Sequence, residues 1–263
     1  MQIFDVDMYR QKLAVSNDLD TLFKTYQGGY PELPDISTAR KWDNLLSKYE
    51  EVPEVRIKRL KKVVRQIDEQ RGIFDIGVGW GDIVPTLRDK NINIDYTGID
   101  FSLEVINTLA QKYPEQKFIH TTIDAVHDRF DYVLALEVME HIVPSKIFDF
   151  LGHVKRVLKP EGILLITVPI NENLKNNTFI CGSCGKYVNK MGHVRSYSVE
   201  LIRAELALAG FEAFHTEYIY DGYYGIVGSI KKAIRNVAGY LLGPSGFRPV
   251  EPCNVVLALR RSK

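Results

Sequence analysis

Ile73-Phe74-Asp75-Ile76-Gly77-Val78-Gly79-Trp80-Gly81-Asp82 is the stretch on which the rest of the chain is built. An apolar run leads to a carboxylate, then to glycines at alternate positions, then to a segment able to form a helix. Apolar residues ahead of a glycine cluster predict a buried parallel strand with a sharp exit. Glycine suits that exit because it tolerates φ > 0 and lets another molecule lie against bare backbone. At the carboxyl end of a strand in a doubly wound sheet, such a turn floors a crevice for a nucleotide-like ligand.

Outward from this turn the chain alternates. Ile94–Asp100, Lys117–Thr121, Phe130–Leu136 and Gly162–Val168 read as further strands, followed by Phe211–Tyr220 and Asn254–Leu259. Between them lie helices: one near Asp82–Lys90, one capped by Ser102, one opened by Pro144 and Ser145, and one capped by Ser198 and stopped by Gly210. This tempo predicts an α/β fold with a doubly wound, mostly parallel sheet of seven strands. Residues 1–54 form a partly helical N-terminal extension to a domain over residues 55–263. After Pro53, the residues Ile57, Leu60, Val63, Val64 and Ile67 recur at helical spacing. The basic run beside them, from Arg56 to Arg65, reads as a solvated face rather than a seat for an anionic partner. A polar rim insertion spans residues 169–195. A lid-like helical segment spans 221–250, where Lys231, Lys232 and Arg235 leave peripheral membrane contact as the alternative to a cover over the pocket.

Composition narrows the function classes. A chain of 263 residues, 45% hydrophobic and 25% charged, is that of an ordinary soluble globular protein with a full core. A net charge of +1 supplies no basic field for gripping nucleic acid. The first residues lack a secretory pattern, and no apolar run approaches the ~20 residues of a membrane span. Three cysteines do not suggest a disulfide framework, so a cytoplasmic protein is the default expectation.

The glycine spacing discriminates between ligands. A dinucleotide asks for G-x-G-x-x-G, whose third glycine permits close helix–strand packing beneath a pyrophosphate. Here Gly77, Gly79 and Gly81 give G-x-G-x-G, followed by Asp82. An acid beside a helix N-terminus is a poor neighbour for a pyrophosphate and a tolerable one for a ligand without phosphate.

Four motifs carry a resemblance: Asp75–Gly81; Gly98-Ile99-Asp100-Phe101-Ser102; Phe130–Val133 running on to Glu137-Val138-Met139-Glu140-His141-Ile142; and Val157-Leu158-Lys159-Pro160-Glu161-Gly162. Their order resembles the Rossmann-like S-adenosylmethionine-dependent methyltransferases. The resemblance implies that Gly77, Gly79 and Gly81 let the backbone approach the methionine part, with Asp75 helping to hold its ammonium group. It implies that Asp100 accepts the ribose hydroxyls, Phe101 flanks the adenine and Asp124 accepts the adenine amino hydrogens. Glu137 and Val138 would line the floor under the sulfonium.

A sulfonium methyl is already an activated electrophile, so alignment of an in-line displacement is the main task. An oxygen acceptor also benefits from a base with a pKa near working pH, which points to His141 and His193. No [DNS]-P-P-[YF] segment follows the fourth strand, where this chain has Leu136-Glu137-Val138-Met139, and the Pro-Cys segment of cytosine-C5 enzymes is missing. The expected reaction is methyl transfer, by O-methylation, to a small-molecule, sugar or lipid-linked acceptor. The rivals are an NAD-type oxidoreductase and a protein that binds S-adenosylmethionine without transferring its methyl.

Cys181-x-x-Cys184-Gly185 is half a zinc knuckle, two thiolates whose turn lets both sulfurs face one ion. The segment from Cys181 through Gly192-His193-Val194-Arg195 is similar to an insertion in some members of the family, where a histidine often stands at the place of Asn189. His193 is then the third candidate ligand, and Cys253, His215 and His153 compete for the fourth place. The alternatives are a structural zinc that orders the rim and two free thiols in a polar lid. A catalytic zinc is not expected, because the donor needs no Lewis acid.

Overall fold

The computed structural model of the chain describes residues 54–68, 71–90, 95–174, 178–180, 187–189, 191–219 and 254–262. Most of the N-terminal extension, the lid-like segment 221–250, Cys181, Cys184 and Cys253 lie outside these residues.

The elements in chain order are α1 (Glu54–Val64), β1 (Gly72–Ile76), α2 (Ile83–Asp89), β2 (Asp95–Asp100), α3 (Leu103–Lys112), β3 (Lys117–His120), β4 (Phe130–Leu136), α4 (Ile147–Val157), β5 (Leu158–Pro169), β6 (Thr178–Ile180), β7 (Tyr187–Asn189), α5 (Val199–Leu208), β8 (Phe211–Ile219) and β9 (Asn254–Arg261). Seven strands form one sheet in the order β3-β2-β1-β4-β5-β9-β8. The first five run parallel, whereas β9 pairs antiparallel with both β5 and β8. The chain winds outward from β1 to β3 and then crosses back to β4. The carboxyl ends of β1 and β4 are therefore the topological switch point, where such sheets open a crevice.

Each face of the sheet buries its own apolar layer. Phe74, Ile76, Val133, Ala135, Leu164 and Ile166 face α4 and α5. Ile73, Tyr132, Leu134, Leu165 and Val256 face α1, α2 and α3. The central strands are apolar on both sides because both sides are covered. Helix starts follow local chemistry: Ser102 Oγ accepts the Val105 amide at 3.3 Å, and Ser198 Oγ accepts the Leu201 amide at 3.1 Å.

Three expectations change. The basic run on α1 is divided: Lys61 and Arg65 are exposed, as on a solvated face, but Arg56, Arg59 and Lys62 turn to the sheet domain. Arg56 pairs with Asp82 at 2.6 Å, Arg59 with Glu137 at 2.8 Å, and Lys62 with Glu217, so one helix edge is ion-paired to the sheet domain. Ile57 stands 38% exposed, outside the buried stripe of Leu60, Val63, Val64 and Ile67. Strand β5 starts at Leu158 rather than Gly162, because Leu158 pairs with Phe130 before an irregularity and the main register resumes at Ile163. Gly162 sits in that excursion, where a Cβ would stand 2.9 Å from the Asp131 carbonyl oxygen.

The rim insertion contains an antiparallel pair, with Thr178–Ile180 against Tyr187–Asn189. Cys181 and Cys184 belong to the segment joining these strands. Among the described residues no helix is long and apolar enough to cross a membrane.

Gly98 lies beneath the glycine turn. A Cβ there would collide with Val78 Cγ1 and stand 3.1 Å from the Tyr96 ring. Gly98→Ala is expected to destabilise the protein by about 1–3 kcal/mol through overpacking, with urea unfolding as the measurement; an unchanged midpoint would contradict this packing.

Candidate active site

Gly77, Gly79 and Gly81 all adopt positive φ, at 70°, 50° and 69°. At Gly81 a side chain is doubly disallowed, because a Cβ would also stand 2.6 Å from Leu109 Cδ2. Four amides of the turn are engaged. Those of Gly77 and Val78 donate to the Ile99 carbonyl at 2.9 and 3.1 Å, and that of Gly81 donates to the Val78 carbonyl at 2.9 Å. The Gly79 amide donates to Asp100 Oδ2 at 3.1 Å, and Asp100 Oδ1 accepts the Ser102 amide at 2.9 Å. Asp100 thus stands at the lip of the turn, held by one backbone donor on each oxygen. A carboxylate has about four lone-pair sites, more than two backbone donors fill.

This arrangement also amends the electrostatic argument. Asp82 is met by Arg56, whose guanidinium lies 5.4 Å from the Trp80 ring centroid, so its charge is not open to a ligand. A pyrophosphate is disfavoured instead because four of the turn's amides are engaged, the Gly79 donor by a carboxylate.

The other expected donor-site residues are distributed as follows. Asp75 is buried and accepts the Tyr96 hydroxyl at 2.7 Å. Phe101 is 48% exposed beside Asp100, in a shallow groove shared with Leu103, Asn107 and His120. Asp124 is exposed in a single 3-10 turn after β3, its carboxyl held below the usual range by a hydrogen bond with Thr122. Val138 Cγ2 lies 3.2 Å from where a Cβ on Gly77 would stand, so Val138 does lie against the turn. Glu137 takes a positive φ of 58° and is a structural hub. Its carboxylate accepts Thr167 Oγ1 at 2.8 Å, Asn254 Nδ2 at 3.0 Å and Arg59 Nη1 at 2.8 Å.

His141 and His193, remote in sequence, meet at the end of β4 with ring centroids 4.9 Å apart at 77°. His141 occupies the 3-10 turn Met139–His141, and His193 comes from the loop after β7. Asn189 organises that loop: Oδ1 accepts the Met191 amide at 2.8 Å, and Nδ2 donates to the Leu174 carbonyl at 3.3 Å. Asn189 is thus a turn-former that positions His193, whose amide it also accepts at 3.4 Å. His193 Nδ1 lies 2.5 Å from Glu172 Oε2, and Arg195 and Glu205 pair in full burial just beyond.

Glu140 and Glu172 are site residues that pattern reading missed. Glu140 is 1% exposed, and burial, reinforced by the charge of Glu137, pushes its carboxyl well above the ordinary range. The available signal was the acid-x-x-acid-His run at 137–141. His153 and His215 stand apart from this cluster, near Asp124 and Glu217 respectively.

Residues 74–164 match the family model described as a methyltransferase domain. That match spans β1 to β5, and the strand order is that of the Rossmann-like, class I fold of S-adenosylmethionine-dependent methyltransferases. Among curated proteins it is 27% identical over 113 residues to cyclopropane-fatty-acyl-phospholipid synthase of Escherichia coli (strain K12), covering 41% of this chain and 29% of that protein. It is 32% identical over 112 residues to the ubiquinone biosynthesis O-methyltransferase of Bradyrhizobium sp. (strain ORS 278), covering 40% and 42%. The chain therefore spans less than half the length of these relatives. A solved structure of Burkholderia thailandensis 1,6-didemethyltoxoflavin-N1-methyltransferase, with its substrate and S-adenosylhomocysteine bound, superposes with a TM-score of 0.58 at 15% identity, covering 89% of this chain and 93% of that one.

Burial, helped by the nearby Asp100 charge and opposed by the Tyr96 hydroxyl, pushes the Asp75 carboxyl up to about 7 from its ordinary 3.8. Between those values the folded chain holds a proton that the unfolded chain has released. Asp75's contribution to stability therefore declines as pH rises through this window and levels off above it. Relative to wild type, Asp75→Asn should gain stability from pH 4 to 7, by on the order of 1 kcal/mol per unit. Urea unfolding across that range checks it, and a pH-independent difference would contradict it.

Proposed function

We propose that this chain transfers the methyl group of S-adenosylmethionine to an oxygen of a small hydroxylated acceptor. The observation that carries the reading is the Asp100 carboxylate, fixed by the Gly79 and Ser102 amides at the lip of a turn whose Gly77, Val78, Gly79 and Gly81 amides are already engaged. Asp100 accepts the two ribose hydroxyls, Phe101 covers one adenine face and Asp124 takes the adenine amino group. Val138, against Gly77, floors the sulfonium region. Asp75, whose proton is loosely held near neutral pH, becomes the anion beside the substrate ammonium when that cation arrives.

The acceptor lies over the end of β4, where His141, His193, Glu140 and Glu172 are the polar groups able to hold a hydroxyl and promote the loss of its proton. Support for oxygen comes from the O-methyltransferase relative, and a lipid-linked acceptor is the variant that the fatty-acyl-phospholipid synthase supports. The Cys181–Cys184 pair keeps the spacing for a structural zinc, which would order the rim from the segment between β6 and β7. An NAD-type oxidoreductase is disfavoured by the engaged amides of the turn.

Calorimetry with S-adenosylhomocysteine tests the reading. Wild-type protein should bind it, and Asp100→Asn should bind about 10- to 100-fold more weakly, the loss of hydrogen bonds to a charged acceptor. No binding by wild type, or saturable binding of NADH in its place, would contradict the proposal.

A further inference from the structure

The two histidines at the end of β4 are hydrogen-bonded in a way that fixes what each can still do. His141 Nδ1 lies 3.1 Å from the Gly192 carbonyl oxygen. A carbonyl only accepts, so Nδ1 carries the proton and Nε2 carries the lone pair. His193 Nδ1 lies 2.5 Å from Glu172 Oε2, an acceptor again, so its Nε2 is also the lone-pair nitrogen. That Nε2 faces Glu140 Oε1 at 4.0 Å, too long for a hydrogen bond, even from a protonated ring.

Glu140 is 1% exposed, and neither of its carboxylate oxygens has a hydrogen-bond partner among the described residues. A buried carboxyl group left in that state is costly whether or not it is protonated, and an imidazole lone pair facing it gives no relief. One donor atom from each of Glu140, His141 and His193 lies within 4.8 Å of the others. Around an ion with bond lengths near 2.1 Å, neighbouring donors stand roughly 3 to 4 Å apart, so rotation of these side chains by about an ångström closes the set. Glu172 and the Gly192 carbonyl occupy the positions of outer acceptors, the groups that fix the tautomer and raise the basicity of metal-binding histidines.

We propose that Glu140, His141 and His193 bind one divalent cation at the acceptor side of the cleft, through a carboxylate oxygen and two imidazole Nε2 atoms. Two imidazoles and a carboxylate leave open coordination positions and suit ions of mixed nitrogen and oxygen preference, such as Mn²⁺, Fe²⁺, Co²⁺ or Zn²⁺. This set assigns His193 to the ion rather than to the cysteines.

The role of the ion, though not its binding, rests on the methyl-transfer reading. An acceptor hydroxyl on an open position becomes more acidic. Its O–H bond breaks and the proton leaves to water. The oxygen then forms the O–CH₃ bond as the S–CH₃ bond breaks, and S-adenosylhomocysteine departs. The donor still needs no Lewis acid; the ion serves the acceptor.

The test uses the full chain, stripped with chelator and titrated with Mn²⁺, with free Mn²⁺ read by electron paramagnetic resonance. Wild type should take up one Mn²⁺ per chain. Glu140→Gln and His193→Gln should each weaken uptake at least tenfold, thermal unfolding showing that each is folded. Cys181→Ser/Cys184→Ser should leave it within about twofold. No saturable uptake by wild type, uptake indifferent to both substitutions at Glu140 and His193, or uptake lost with the cysteines would overturn the site. Mn²⁺ uptake by a protein that binds no S-adenosylhomocysteine would keep the ion site and remove the methyl-transfer reading; the converse result would do the opposite.

Discussion

The hydrogen bond from the Gly79 amide to the Asp100 carboxylate ties the exit of β1 to the end of β2, and the proposed donor site depends on it. Every feature around it serves close approach. Positive φ at Gly77, Gly79 and Gly81 turns the chain sharply. The absence of a Cβ at Gly98 lets Val78 sit down on β2. Ser102 starts α3 directly after the carboxylate, so that its own amide reaches the second Asp100 oxygen. The result is an acceptor-lined lip with four of its backbone donors already engaged. Such a surface welcomes hydroxyl groups and a cation, and repels phosphate.

Across the cleft, Glu137 performs a comparable service. Positive φ is uncommon outside glycine, and here it turns the carboxylate back toward Thr167, Asn254 and Arg59. One side chain thereby links β5, β9 and α1 just below the turn that carries Glu140 and His141. A partly buried carboxylate is tolerable with a guanidinium and several donors around it; removing one partner from such a set costs more than the pair contributes. Helix α1, outside the matched methyltransferase region, is thus tied to the cleft through Arg56, Arg59 and Lys62.

Local chemistry made much of this legible. The strands announced themselves by apolar runs, the turn by its glycines, and two helix starts by Ser102 and Ser198, all features confined to a few residues. Asp100 was readable because its place, ending the strand after a glycine turn, has few other uses. What escaped depended on distance. Arg56, Arg59 and Lys62 read as a solvated face because their partners Asp82, Glu137 and Glu217 come from elements brought close only by folding. His141 and His193 were each singled out, but their edge-on meeting needs the loop that Asn189 shapes. Asn189 itself looked like a missing ligand, since its backbone-binding role has no signature in spacing. Glu140 was passed over because a buried acid resembles any other acid until its surroundings are known.

The most direct measurement is a crystal structure of the chain with S-adenosylhomocysteine. The account predicts both ribose hydroxyls within hydrogen-bonding distance of the Asp100 carboxylate, with the Gly79 and Ser102 amides still on its oxygens and the homocysteine arm along Gly77–Gly81. A nucleoside bound elsewhere on the sheet, or Asp100 out of reach of the ribose, would contradict it.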